Sequence, residues 1–217
     1  MQNSYLRLEH DVGRAPDPLL AGLADAPRII NGVWRVEVSS IDPKSRAPLT
    51  LIPSYPDLPM EMAYPRIERT DKPQAFMRDV GAGRVMYFPW DIDRTFWEVL
   101  SVDHGRLLAN AVDWATNEER PVAVTGPGLL DVTIWRQKQS ITVHLVNLTN
   151  PMMMKGPIRE LLPIGEQRVR VKLPDGMSSL KVQLLVDGGT PRVRKSAGFV
   201  EVTVPSVLDH EVVAIDL

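Results

Sequence analysis

The run Ser140-Ile141-Thr142-Val143-His144-Leu145-Val146-Asn147 alternates polar and apolar side chains. A repeat of two puts every second residue on the same face of an extended chain, so the segment predicts a half-buried strand. Reading outward, Val122–Val124, Leu130–Arg136, Arg168–Lys172, Lys181–Leu185, Arg192–Lys195, Phe199–Val204 and Glu211–Ile215 are further strand candidates. Turn signals such as Pro174-Asp175-Gly176 and Asp187-Gly188-Gly189 separate them, at roughly the 8–12-residue rhythm of β-sandwiches. Residues 119–217 are therefore expected to form an antiparallel β-sandwich.

Before the charged hinge Glu118-Glu119-Arg120-Pro121 the pattern changes. Val102 to Asn117 predicts a helix, because Val102, Leu107, Leu108, Ala111, Val112 and Ala115 fall on one face. Ser101 is its expected N-cap, and Asp103 suits the positive end of the helix dipole. Ala75–Val80, Gly81-Ala82-Gly83 and Arg84–Pro89 predict strand, tight turn and strand. Trp90–Arg94 follows as an expected polar loop. Val33–Val38 and Leu49–Ile52 predict short strands. Residues 1–28 are polar and broken by Pro16, Pro18 and Pro27, with Leu19–Leu23 as a turn docked on a core. Tyr55 to Pro73, with four prolines, predicts a long ordered loop. Its Tyr55, Leu58, Met60, Met62 and Tyr64 need something to cover them.

The 217 residues suffice for one large domain or two small ones, and 44% hydrophobic with 24% charged residues is ordinary for a globular chain. A net charge of −2, with cations scattered along the sequence, argues against nucleic-acid and anionic-membrane partners. No apolar run reaches the ~18 residues of a membrane-spanning helix. The start, Met1-Gln2-Asn3-Ser4-Tyr5, lacks a secretory signal pattern, which makes the cytoplasm the default compartment. The absence of cysteine removes disulfides, thiolate nucleophiles and Cys-ligated zinc together.

Gly81 to Asp93, with the helix segment Gly105 to Ala115, resembles the end of the trimerisation domain of β-galactosidase-type glycoside hydrolases. Asp131–Gln137, His144–Asn150 and the ending Val204–Val213 resemble the sandwich that follows it in such bacterial proteins. The resemblance implies a partial amidotransferase-like (flavodoxin-like) α/β domain at 1–118, then the antiparallel sandwich at 119–217. It also implies a homo-oligomer, a trimer with a dimer as the alternative, and a catalytic barrel that precedes these parts in the family and is missing here. Expected on that basis is a non-catalytic assembly region, with carbohydrate as a further partner and no cofactor or metal. Amidotransferase chemistry itself needs a cysteine thiolate and is excluded.

Were the chain an enzyme, it would be a hydrolase, either a glycoside hydrolase or a carboxylesterase. The candidate catalytic residues are Asp91, Asp93, Glu98 and His104, with Trp90, Arg94 and Trp97 as ligand-binding candidates. Glycoside hydrolysis needs two carboxyl groups ~5–9.5 Å apart, and Asp91 and Asp93 would share a face if the strand continued. The structural alternative, preferred here, has these aspartates pairing with Arg94 or capping loops while both indoles fill an interface. Ser54, Ser101 and Ser206 with His104, His144 or His210 form no Gly-x-Ser-x-Gly elbow, and no zinc-type His-Glu-x-x-His spacing occurs. A carbohydrate-binding module ranks third, because Trp135 and Phe199 are the only aromatics after residue 118. Met152-Met153-Met154 is expected to supply an adaptable packing surface.

Overall fold

A computed structural model describes residues 4–10, 17–39, 46–149, 160–176 and 181–217; the Met152–Met154 run lies outside the described residues. The chain divides into two compact units, Met1–Glu119 and Arg120–Leu217. It is an α/β unit followed by an antiparallel β-sandwich.

In the first unit β1 (Tyr5–Leu8), β2 (Arg28–Ile30) and β3 (Leu49–Ile52) form an antiparallel sheet with β1 in the centre. Then β4 (Phe76–Val80) and β5 (Gly83–Tyr87) make a hairpin, with Gly81 at positive φ in its turn. Two helices follow, α1 (Ile92–Val99) and α2 (Val102–Thr116). Leu6, Leu8, Leu19, Leu49, Met77, Trp90 and Leu107 anchor one core shared by the sheet, the hairpin and α2.

Four segments differ from the sequence reading. Residues 5–8, within the stretch 1–28 read as irregular, form a strand, and so do 28–30 at its end; Leu6 and Leu8 do alternate inward, but four residues are too few to carry a pattern. The segment 33–38 is not a strand. It makes one bridge, Arg35 to Trp90, and Val36 donates to the Pro89 carbonyl. Pro89 has no N–H to return, so the ladder stops there. Residues 92–99, of which 92–94 are read from the sequence as part of a polar loop, form α1. Both helices end on a left-handed residue, Leu100 and Asn117, whose N–H reaches back to Phe96 O and Asp113 O. Ser101 occupies the N-cap position of α2 without a side-chain hydrogen bond.

The second unit contains β6 (Val122–Thr125), β7 (Leu130–Arg136), β8 (Ser140–Asn147), β9 (Gln167–Lys172), β10 (Lys181–Leu184), β11 (Arg192–Ser196), β12 (Phe199–Val204) and β13 (His210–Asp216). They form two four-stranded sheets, ordered β10-β13-β8-β7 and β11-β12-β9-β6. Ile141, Val143, Leu145, Val213 and Ile215 of one sheet join Val169, Val171, Val200, Val202 and Val204 of the other in one core. Branched side chains suit this duty because they pack well on a pleated surface.

Leu145 is fully buried, whereas its cross-strand partner Val132 on the edge strand is 38% exposed. Leu145→Ala is expected to lower unfolding free energy by about 2–5 kcal/mol. Val132→Ala should cost about 1 kcal/mol or less. Urea denaturation of both variants checks the contrast.

Candidate functional site

The chemistry-bearing residues of the first unit lie between Trp90 and His104. Asp91 sits at the N-cap of α1, but its carboxylate does not cap that helix. Oδ1 instead accepts a hydrogen bond from Trp34 N–H at 3.0 Å, and the Asp91 N–H donates to Trp34 O at 3.3 Å. This two-way bridge pins the extended segment after Gly32. Gly32 is glycine for a steric reason: a Cβ there would collide with the Asp91 carboxylate and come within 2.9 Å of Thr95 Oγ1.

Trp90 is buried, and its indole N–H donates to Gln74 O at 2.9 Å. His104, on α2, is fully buried with its ring 5.5 Å from the Trp90 ring in an edge-on arrangement. Its Nε2 lies 3.0 Å from Ile30 O. A carbonyl only accepts, so Nε2 carries the proton and Nδ1 is the open acceptor of the neutral ring. Nδ1 has no hydrogen-bond partner among the described residues. Burial pushes the His104 pKa below its ordinary value, against smaller opposing effects of the Ile30 carbonyl and Asp103.

The remaining candidates face solvent. Asp93, Arg94, Trp97 and Glu98 are partly to well exposed on α1, with Trp97 at 69%. Arg94 Nε donates to Glu98 Oε1 at 2.9 Å, one helical turn away. The fold therefore brings together Trp90 with His104 and Arg94 with Glu98. Asp91 is turned to the main chain at Trp34, and Asp93 stands apart on the first turn.

A second cluster was invisible in the sequence because its members are far apart in it. Trp114 lies between two guanidinium groups, Arg46 at 5.6 Å and Arg84 at 5.4 Å, beside an open cleft of about 630 Å³. Both cations are engaged: Arg46 with Asp17 at 3.3 Å, and Arg84 with Asp79 at 3.5 Å and the Trp114 carbonyl at 2.9 Å. That makes the cluster a brace between hairpin and helix.

In the sandwich, Ser206 donates its hydroxyl to Ile164 O at 2.9 Å. His144 Nδ1 and His210 Nε2 lie 3.2 Å apart, with the rings stacked. Buried polar groups serve loops: Asn147 Nδ2 donates to Leu162 O and Leu208 O, and Glu211 accepts the N–H groups of Val186, Asp187 and Val212. Among the described residues no group of three or more His, Asp or Glu could hold a metal ion.

No protein-family model matches the chain, and no curated protein matches it. Among solved structures, α-L-fucosidase isoenzyme 2 from Paenibacillus thiaminolyticus is similar over 100% of this chain and 32% of its own length, with a TM-score of 0.64 and 16% identity. At that identity the likeness is one of fold. A GH42 β-galactosidase from G. stearothermophilus is similar over 80% of this chain and 18% of its own, with a TM-score of 0.41 and 12% identity. These neighbours are glycoside hydrolases, and this chain spans about a third of the fucosidase's length or less.

Two stability effects follow from the geometry. Asp91→Ala strips the acceptor from Trp34 N–H, a solvent-exposed hydrogen bond, and should cost about 0.5–1.5 kcal/mol in urea denaturation. The unfolded His104 titrates near its ordinary value of about 6.5 and the folded one lower. Stability is therefore full above that pH and declines as pH falls below it, where only the unfolded chain takes up the proton. His104→Gln removes this component, so the gap between wild-type and variant urea midpoints should narrow on acidification.

Proposed function

We propose that the chain is a non-catalytic assembly region of a glycoside-hydrolase-like protein, and that its first unit mediates self-association. The observation that carries this reading is the proline-rich loop between Tyr55 and Pro73. It is tied down at both ends: Tyr55 stacks on Tyr5 and their hydroxyl groups hydrogen-bond at 3.2 Å, while Leu51 N–H donates to Lys72 O at 2.9 Å. Between these ties Leu58 is 74% and Met60 82% exposed, with Met62, Tyr64 and Ile67 also exposed.

A loop held in place while showing apolar side chains to water forgoes about 25 cal/mol for each Å² that a partner would cover. The outer face of the β4–β5 hairpin adds exposed Val80, Val85 and Tyr87. A second copy of the chain brings the same apolar loop to the contact, which suits a closed homo-oligomer; the resemblance favours a trimer over a dimer. Chemistry then belongs to a separate barrel, and Trp90 and His104 serve the architecture of this unit.

Light scattering coupled to size exclusion should report an oligomer at micromolar concentration, and Leu58→Asp with Met60→Asp should shift it to monomer without unfolding it. A wild-type monomer would sink the assembly reading. Hydrolysis of nitrophenyl glycosides or acyl esters by the purified chain, lost in Asp93→Ala or Glu98→Ala, would replace it with a hydrolase.

A further inference from the structure

The sheet β11-β12-β9-β6 has one face in the core and one in solvent, and the solvent face is cationic. Its register sets Arg168 and Arg192 on either side of Thr203, and Arg170 and Arg194 on either side of Glu201. Lys172 extends the row, next to Phe199. Five cations thus share a face with two carboxylates, Glu201 and Glu166, in a chain whose net charge is −2. Arg168, Arg192 and Arg194 border an open cleft of about 380 Å³.

Strand spacing gives the array its dimensions. Side chains two strands apart are about 10 Å from one another, and those two residues apart on one strand about 7 Å. Crowding like charges on a sheet face is unfavourable by itself. One carboxylate of the cleft, Glu166, is used on Arg168 at 3.5 Å, and Glu201 sits between two guanidinium positions. Arg170 is held with its guanidinium 3.5 Å from the centroid of the Phe199 ring, which restricts its rotamers in advance of any ligand. Every cation in the two central rows is arginine, whose planar fork matches carboxylate and sulfate oxygens in pairs.

We propose that this face binds an acidic polysaccharide, a chain of sugars carrying carboxylate or sulfate groups that the four guanidinium forks engage together. A nucleic acid fits less well. Single strands are gripped by stacking bases on exposed aromatic rings, and Phe199, the aromatic residue in these rows, is buried beneath Arg170. The site is independent of the apolar loop of the first unit and makes no use of self-association.

The test is affinity electrophoresis of the full chain through polygalacturonate, with neutral galactan as the control and single-stranded DNA as the competing polyanion. Retardation by polygalacturonate at low ionic strength is expected, weakening as salt rises. The double variant Arg192→Gln, Arg194→Gln should bind more weakly by roughly tenfold for each fork removed. Arg192→Lys with Arg194→Lys should fall between it and wild type, since charge is kept and the fork lost. Arg168→Gln, two strands away on β9, gives an independent reading if the double variant unfolds. Absence of retardation, an unchanged double variant, lysine variants equal to wild type, or tighter binding to DNA than to polygalacturonate would each overturn the proposal.

Discussion

The first unit depends on a buried aromatic pair, Trp90 against His104. Neither ring spends its polar atom on solvent: the indole N–H holds Gln74 O, and the imidazole N–H holds Ile30 O. Gln74 N–H in turn donates to Leu49 O. One contact therefore fixes the end of β2, the strand β3, the approach to the hairpin and the helix α2. Interior donors must find acceptors, and an indole and an imidazole reaching main-chain carbonyls meet that demand while filling volume that a smaller residue would leave empty.

Because Trp90 is committed, its neighbour Asp91 is aimed at the segment after Gly32. Its carboxylate replaces the strand partner that residues 33–36 lack, and the tight approach requires glycine at position 32. The carboxylate, imidazole and indole that make this stretch look catalytic are thus explained by what they hold. On α1, Arg94 and Glu98 pair with each other in solvent, where water and salt screen the attraction.

Legibility in the sequence followed burial. Strands β8, β9, β10, β12 and β13 could be read because alternate residues are buried, which enforces a period of two, and α2 could be read because Leu107 and Ala111 turn inward at helical spacing, although Val102 and Val112, read on the same face, are exposed and His104 and Trp114 are buried instead. Where little is buried the signal fails. Helix α1 is a different case: Ile92, Phe96 and Val99 recur at helical spacing, but over only eight residues, and the acidic and basic residues among them favour the reading of a polar loop. Val33, Trp34 and Val36 suggest a half-buried strand yet remain exposed, since the segment has Pro89 for a neighbour and pairs through a single bridge. The pairing of position 32 with 91, and of 46 and 84 with 114, joins residues that no local pattern links. The cationic face was hidden differently: Arg168-x-Arg170-x-Lys172 and Arg192-x-Arg194 are plain in the sequence, but a net charge averaged over the chain conceals them.

The core of the sandwich and its cationic face are one constraint seen from two sides. Val200, Val202 and Val204 pack inward opposite Val171, Val169 and Gln167 of the neighbouring strand. With a period of two, that choice sends Arg168 and Arg170 outward, level with Thr203 and Glu201. A slip of one residue would bury guanidinium groups and expose valines, so register is strongly specified. The spacing of the forks is then set by close-packed valines rather than by flexible loops. An array fixed in this way loses little freedom on meeting a periodic anion, which is the condition for many modest charge contacts to add up to useful affinity.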